Sequence, residues 1–131
     1  MAKRQNVSSG TVWEDSVGYS RTVRVGNLVF VSGTTATDDD GNVVGTDTYE
    51  QSKFILEKIE RSLHEVGAEM RYVVRTTMYV TDASQWEGVG RAHHEFFADI
   101  RPVSTLVEVS ALIGDAHLVE IAVDAVIDDD E

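Results

Sequence analysis

A chain of 131 residues with 23 acidic against 11 basic side chains, a net charge of -12 and no cysteine is sized for one domain. It excludes thiol nucleophiles, thiolate metal sites and disulfide frameworks. Lysine is confined to Lys3, Lys53 and Lys58, which argues against nucleic acid as a partner, since phosphate binding draws on clustered basic residues.

The acidic excess reads as solubility or as adaptation to high salt. The runs Asp38-Asp39-Asp40 and Asp128 to Glu131 then read as a solvated loop and an acidic tail over 128–131, not as metal sites. No apolar run is long enough to cross a bilayer, and none follows the basic start "MAKRQNVSSG". A cytoplasmic protein without a membrane partner is expected.

Residues 1–18 are read as an N-terminal segment, and the periodic pattern begins after them. "YSRTVRVGNLVFVSG", residues 19–33, holds two β-rich runs around Gly26-Asn27 and predicts a hairpin. Leu28 to Val31 are apolar on both faces, so that strand should be covered on both sides. "TATDDDGNVVGT" is a loop with at most a short strand at Val43-Val44.

From Asp47 the period changes to 3.6, with Ile55, Leu56, Ile59, Leu63 and Val66 on one stripe. Asp47 and Glu50 suit a capping box, and Gly67 suits a left-handed stop. In "RYVVRTTMYVTD", a strand, Val74, Thr76, Met78 and Val80 oppose Val73, Arg75, Thr77 and Tyr79. Ser84 and Glu87 predict a cap for a second helix with Trp86, Val89, His93, Phe97 and Ile100 on its stripe, closed by Pro102.

Two more strands follow. In "RPVSTLVEVSAL", residues 101–112, Val103, Thr105, Val107, Val109 and Ala111 alternate with Ser104, Leu106, Glu108 and Ser110. In "HLVEIAVDAVI", Val119, Ile121, Val123, Ala125 and Ile127 alternate with Glu120, Ala122 and Asp124. The order is ββαβαββ, an α+β sheet with two helices on one face, in a single domain over 1–131. Two helices cannot cover both faces of a sheet whose strands are apolar on both sides, so the second face should pack against other copies of the chain.

Nucleotide-binding loops are absent. His93 and His94 are adjacent on a helix and diverge by about 100 degrees, which makes them poor co-ligands for one metal. His93 reads as a polar-tipped filler of the buried stripe, and His94 as facing water. Ser32 or Ser104 could start a Ser-His-Asp triad on paper, without the strand-turn-helix elbow that would support one. Glu120 sits between Val119 and Ile121, where a carboxylate is costly to bury without a partner. The pattern leaves a site residue and an exposed strand position equally open.

"VGYSR", "GNLVFVSG", "VVRTTMYVTD", "HEFFADIRPVSTLVEVSAL" and "LVEIAVDAVI", in order and with compatible spacing, resemble the Rid/YjgF family, also called the endoribonuclease L-PSP or translation-inhibitor family. The resemblance spans Tyr19 to Val126. It implies a chorismate-mutase-like α+β fold, a homotrimer, and clefts between subunits that take a small-molecule metabolite.

In the family's deaminase branch those clefts hydrolyse enamines and imines to ammonia and a 2-oxo acid, with no metal or organic cofactor. An arginine grips the substrate carboxylate, and a glutamate positions water. By position, the resemblance assigns the family's tyrosine to Tyr19, its Ser-Gly strand end to Ser32-Gly33 and its catalytic glutamate to Glu120. The arginine, in a Pro-x-Arg-Ser pattern, falls on Ser104 within Pro102-Val103-Ser104-Thr105. A cleft asparagine falls on Gly90 and a cysteine on Leu106.

A serine supplies no fixed positive charge, so Arg101, Arg21 and Arg24 are the candidate replacements, with Arg24 read as plain surface. The expected cleft wall combines Ser104 and Glu108 on one strand, Glu120 on the next and Tyr19 from the hairpin side, and Thr105 beside Ser104 is counted with the substrate-binding residues. A catalytically silent ligand-binding or regulatory trimer is the rival reading. Ribonuclease activity is a third reading, which the acidic surface disfavours.

Overall fold

Period-two alternation in the last strand decides which side of the sheet is buried. In the computed structural model, which describes residues 3–128, β6 (Val119–Val126) points Val119, Ile121, Val123 and Ala125 into the core and leaves Glu120, Ala122 and Asp124 on the other side. β6 lies at the centre, antiparallel both to β3 (Leu28–Thr35) and to β4 (Val73–Val80). β2 (Thr22–Val25) pairs with β3 across Gly26-Asn27, as the hairpin pattern requires. β5 (Val103–Glu108) runs parallel to β4 and forms one edge.

Residues of the N-terminal segment add two elements that the sequence pattern did not predict, an edge strand β1 (Arg4–Val7) and a one-and-a-half-turn helix α1 (Val12–Val17). β1 lacks an alternating apolar face, and α1 is too short for a periodic signal. With them the ββαβαββ core becomes a six-stranded mixed sheet in the order β1-β2-β3-β6-β4-β5. The strand expected within residues 101–112 runs from Val103 and stops at Glu108. Val43 forms only an isolated bridge to Thr37.

α2 (Thr48–Glu65) buries Ile55, Leu56, Ile59 and Leu63 on β3 and β6, the stripe expected from its 3.6 period. Asp47 caps it by accepting from Glu50 N at 2.8 Å, while the Glu50 carboxylate reaches back to Thr46 N at 2.8 Å. Buried Gln51 accepts from Leu118 N at 2.8 Å and donates to Ala116 O at 2.9 Å, which fastens the approach to β6 onto α2. α2 ends at Gly67, whose φ is +82°.

α3 (Trp86–Phe97) packs on α2 and buries Val89, Ala92 and Phe97. Two expectations for this helix fail. Its N-cap is Gln85, which makes no side-chain capping bond, because a short 3-10 turn capped by Asp82 through Ser84 N leads into the helix, and Trp86 at the helix start is 57% exposed. A bulge between Val73 and Arg75 also reverses the start of β4, so Val73 is buried and Val74 exposed.

Both main helices lie on one side of the sheet. The bare side carries Leu28, Phe30, Val74, Val103 and Val107, 41–67% exposed. Within one chain, the strand Leu28 to Val31 is therefore covered on one side only.

Gly67→Ala should destabilise the domain by about 1–2 kcal/mol, the cost of a Cβ in left-handed backbone. Among the described residues the only atom within 4 Å of that Cβ is Arg24 Nη1, the end of a flexible side chain. Chemical denaturation checks this, and an unchanged midpoint would remove the helix stop from the account.

Candidate functional site

The residues singled out from sequence fall into two groups on opposite sides of the sheet. In the first, Glu120 projects from β6 on the bare side, across from Thr35 on β3 and Tyr79 on β4. Its carboxylate rests on Gly33, where any Cβ would overlap Oε2, so only glycine admits this conformation of the acid. Gly33 itself lies in a register shift between Val31 and Thr34 that breaks the regular pleat. Glu120 is half-buried and makes no hydrogen bond or ion pair with any described residue.

Arg21 holds that glycine. Its Nη1 donates to Gly33 O at 2.7 Å and to Thr34 Oγ1 at 3.3 Å, and its Nε lies 3.6 Å from Glu14 Oε2. Tyr19 places its ring under the guanidinium, 5.7 Å from centroid to Cζ. Ser32 Oγ donates to Ser20 O at 2.6 Å and locks the strand end to the hairpin. Tyr19, Arg21, Ser32, Gly33 and Glu120 thus form one continuous cluster.

Glu14, buried in α1, completes it and was not apparent in the sequence. Its carboxylate accepts from Ser9 N at 3.0 Å, from Ser9 Oγ and from Thr11 Oγ1 at 3.1 Å. Burial pushes the carboxyl pKa up, but hydrogen bonds from Ser9, Ser8 and Thr11 outweigh it and leave it below the ordinary value of 4.5. Lys58 of α2 carries no signal in the sequence pattern either. Its ammonium donates to Thr35 O at 3.3 Å and Thr37 O at 2.7 Å, beside the residue that faces Glu120. Burial, with the charges of Arg21 and Arg61, lowers its pKa.

The second group lies on the helix side. Ser104 pairs in register with Thr76 of β4, a fully buried residue, and accepts a hydrogen bond from its hydroxyl at 2.9 Å. Thr76 Oγ1 is also 2.9 Å from His93 Nε2 on α3. His93 is therefore more than filler: it joins a buried polar chain, and its ring packs against Phe97 at a tilt of 45°, with centroids 4.6 Å apart. Burial holds its pKa below the ordinary 6.5.

A shallow depression of about 290 Å³ beside it is lined by Gly90, His93, His94, Phe97, Arg101 and Pro102. Arg101 takes a φ of +56° at the end of α3, and its guanidinium has no partner among the described residues. Arg24, expected at the plain surface, instead caps α2 and its own hairpin through Val66 O and Gly26 O.

The single cleft wall expected from sequence does not exist within one chain. Ser104 and Glu108 share the helix side, Glu108 accepting from Ala83 N at 2.8 Å, whereas Glu120 and Thr105 share the bare side. Adjacent strands pair residue to residue, and the partner of Glu120 on β4 is Tyr79, which pairs in turn with Val107. Among the described residues no group of three or more His, Asp or Glu side chains could hold a metal ion, and no helix is long and apolar enough to cross a membrane.

The profile of the Endoribonuclease L-PSP family matches residues 13–127. An uncharacterised protein of Streptomyces coelicolor is 37% identical over 92% of this chain and 90% of its own length. A 3-aminoacrylate deaminase, RutC, of Acinetobacter baylyi is 29% identical over 79% of this chain and 82% of its own. Among crystal structures, a Mycobacterium tuberculosis member of the highly conserved YjgF/YER057c/UK114 family superposes with a TM-score of 0.88 at 47% identity, covering 95% of this chain and all 100% of that one.

The His93 environment sets a pH dependence. The unfolded chain protonates this imidazole near 6.5, while the folded protein resists until the pH is lower. Its contribution to stability is therefore complete above 6.5 and is lost as the pH falls below it. Thermal midpoints across this range should decline in the wild type and decline less in His93→Gln. Parallel curves would show that His93 pays no desolvation cost.

Proposed function

This chain belongs to the endoribonuclease L-PSP family, and we propose that it works as a homotrimer whose inter-subunit clefts bind a small polar metabolite and hydrolyse an enamine- or imine-type C–N bond. The observation that carries the reading is the carboxylate of Glu120. It is half-buried, seated on glycine backbone, and without a protein partner among the described residues. A carboxylate so placed is free to hold and deprotonate a water.

Water adds to the imine carbon as Glu120 takes its proton. Return of that proton to nitrogen gives the carbinolamine, and transfer of the carbinolamine hydroxyl proton to the same nitrogen through Glu120 lets ammonia leave as the carbonyl forms. An enamine enters the same sequence after protonation at carbon. The deaminase named among the relatives supports this class of chemistry. No step in it calls for a metal or organic cofactor.

The bare sheet face supports the trimer, because exposed apolar side chains on a flat sheet are stabilised by a second protein surface. A subunit contact would also explain why the carried-over residues lie in two groups. The Glu120 group of one chain and the Ser104 group of another can meet in a cleft that neither forms alone.

Tyr19, Ser32 and Gly33 then shape one wall, with Arg21 as a positioning residue whose charge is taken up by Glu14. Ser104 occupies the place of the family's carboxylate-binding arginine. Of the candidate replacements, Arg101 is the one whose guanidinium has no partner among the described residues. The same substitution favours a second reading, a ligand-binding trimer without turnover. Ribonuclease action, which the family's description names, runs against a net charge of -12.

Ammonia release from 2-imino acids and enamines generated in situ tests the hydrolase. Glu120→Gln should lower it by about a hundredfold or more, the usual worth of a general base. The variant's hydrodynamic size should not change. Equal rates in wild type and variant would remove Glu120 from the mechanism. Val107→Glu, which puts a charge on the bare face, should reduce the assembled state to monomers in sedimentation analysis, and an unaltered trimer would place the subunit contact elsewhere.

A further inference from the structure

We infer that the wall around Ser104 recognises an uncharged hydrogen-bond acceptor, the carbonyl of a carboxamide or ureide, in place of a carboxylate. His93 is the positioning residue that fixes this polarity. The inference rests on the cleft reading above and narrows its substrate class.

The argument is a count of protons. A threonine hydroxyl has one, and Thr76 gives it to Ser104 Oγ at 2.9 Å. The contact of 2.9 Å between Thr76 Oγ1 and His93 Nε2 must then be filled by a proton on the imidazole nitrogen. The chain runs one way, from His93 Nε2–H to Thr76 O–H to Ser104 O–H. Because Ser104 is already accepting, its own proton is left to donate outward from an exposed position on the edge strand.

The chain therefore ends in one neutral donor. A carbonyl oxygen needs little more, whereas a carboxylate drawn out of water against a single hydroxyl loses most of its solvation without a countercharge. Burial keeps His93 neutral, so it adds no charge to this wall. Arg101 is exposed on the neighbouring depression, where solvent screens its guanidinium. The other charge on this side of β5 is Glu108, which would repel a carboxylate.

Thr76 is the test position, because valine has its shape and lacks its hydroxyl. Binding of pyruvamide and of pyruvate, stable carbonyl analogues that differ only in the group offered to Ser104, should be measured by calorimetry on the intact assembly. In the wild type pyruvamide should bind about tenfold more tightly, the worth of one good neutral hydrogen bond with its desolvation balance.

Thr76→Val should bring the two ligands close to equal while circular dichroism and assembly stay as they were. Ser104→Arg should reverse the preference. Tighter binding of pyruvate in the wild type, especially if lost in Arg101→Ala, overturns the inference, as does binding of neither ligand or a preference untouched by Thr76→Val. A pyruvamide preference with no ammonia release from any imine would instead leave the inference standing and defeat the hydrolase reading.

Discussion

Packing of α2 against Val119, Ile121, Val123 and Ala125 of β6, with α3 laid against α2 on the same side, gives this sheet its two unlike sides, and every other feature follows from that sidedness. Because the strand period is two, burying the odd-numbered residues of β6 forces Glu120 and Asp124 onto the opposite side. Register then carries the choice outward. Thr76, Met78 and Val80 follow Val123, Ile121 and Val119 to the helix side, and Ser104, Leu106 and Glu108 follow them across the parallel pair. A slip of one residue anywhere would exchange the two candidate groups.

Glycine and arginine do for the first group what the helices do for the sheet. A carboxylate can lie on the backbone at Gly33 only because nothing projects there. The register shift that puts Gly33 in place is held by Arg21 through the carbonyl of Gly33. Arg21 is held in turn by Glu14, whose carboxylate is tied into the turn that starts α1. The N-terminal elements therefore reach the acid on β6 through one ion pair and one backbone contact. Removing an ion-pair partner this buried leaves an uncompensated charge, so the linkage constrains the site more tightly than its length suggests.

The second group is governed by donor count rather than charge. Thr76 is fully buried and satisfied only because His93 and Ser104 lie on either side of it. That arrangement gives a helix histidine a structural reason to be neutral and an edge-strand serine a reason to be a donor. The surroundings also separate two of the candidate replacement arginines: the charge of Arg21 is used inside the fold, and that of Arg101 is in solvent.

Much of this was written in local pattern. The stripe of α2, the hairpin at Gly26-Asn27, the stop at Gly67 and the alternation of β6 are fixed by period and by backbone preference, which act within a few residues. Glu120 could be singled out because a carboxylate between apolar strand neighbours breaks the pattern. The family could be read because its motifs keep their order along the chain. Tertiary structure alone decided the rest. Glu14 became a buried ion-pair partner because α1, too short to announce itself, folds back onto the hairpin. His93 ceased to be filler because β4 brings Thr76 beneath it. Ser104 and Glu120, close in any list of site residues, were sent to opposite sides because pairing register, a relation between strands far apart in sequence, sets the face each strand presents.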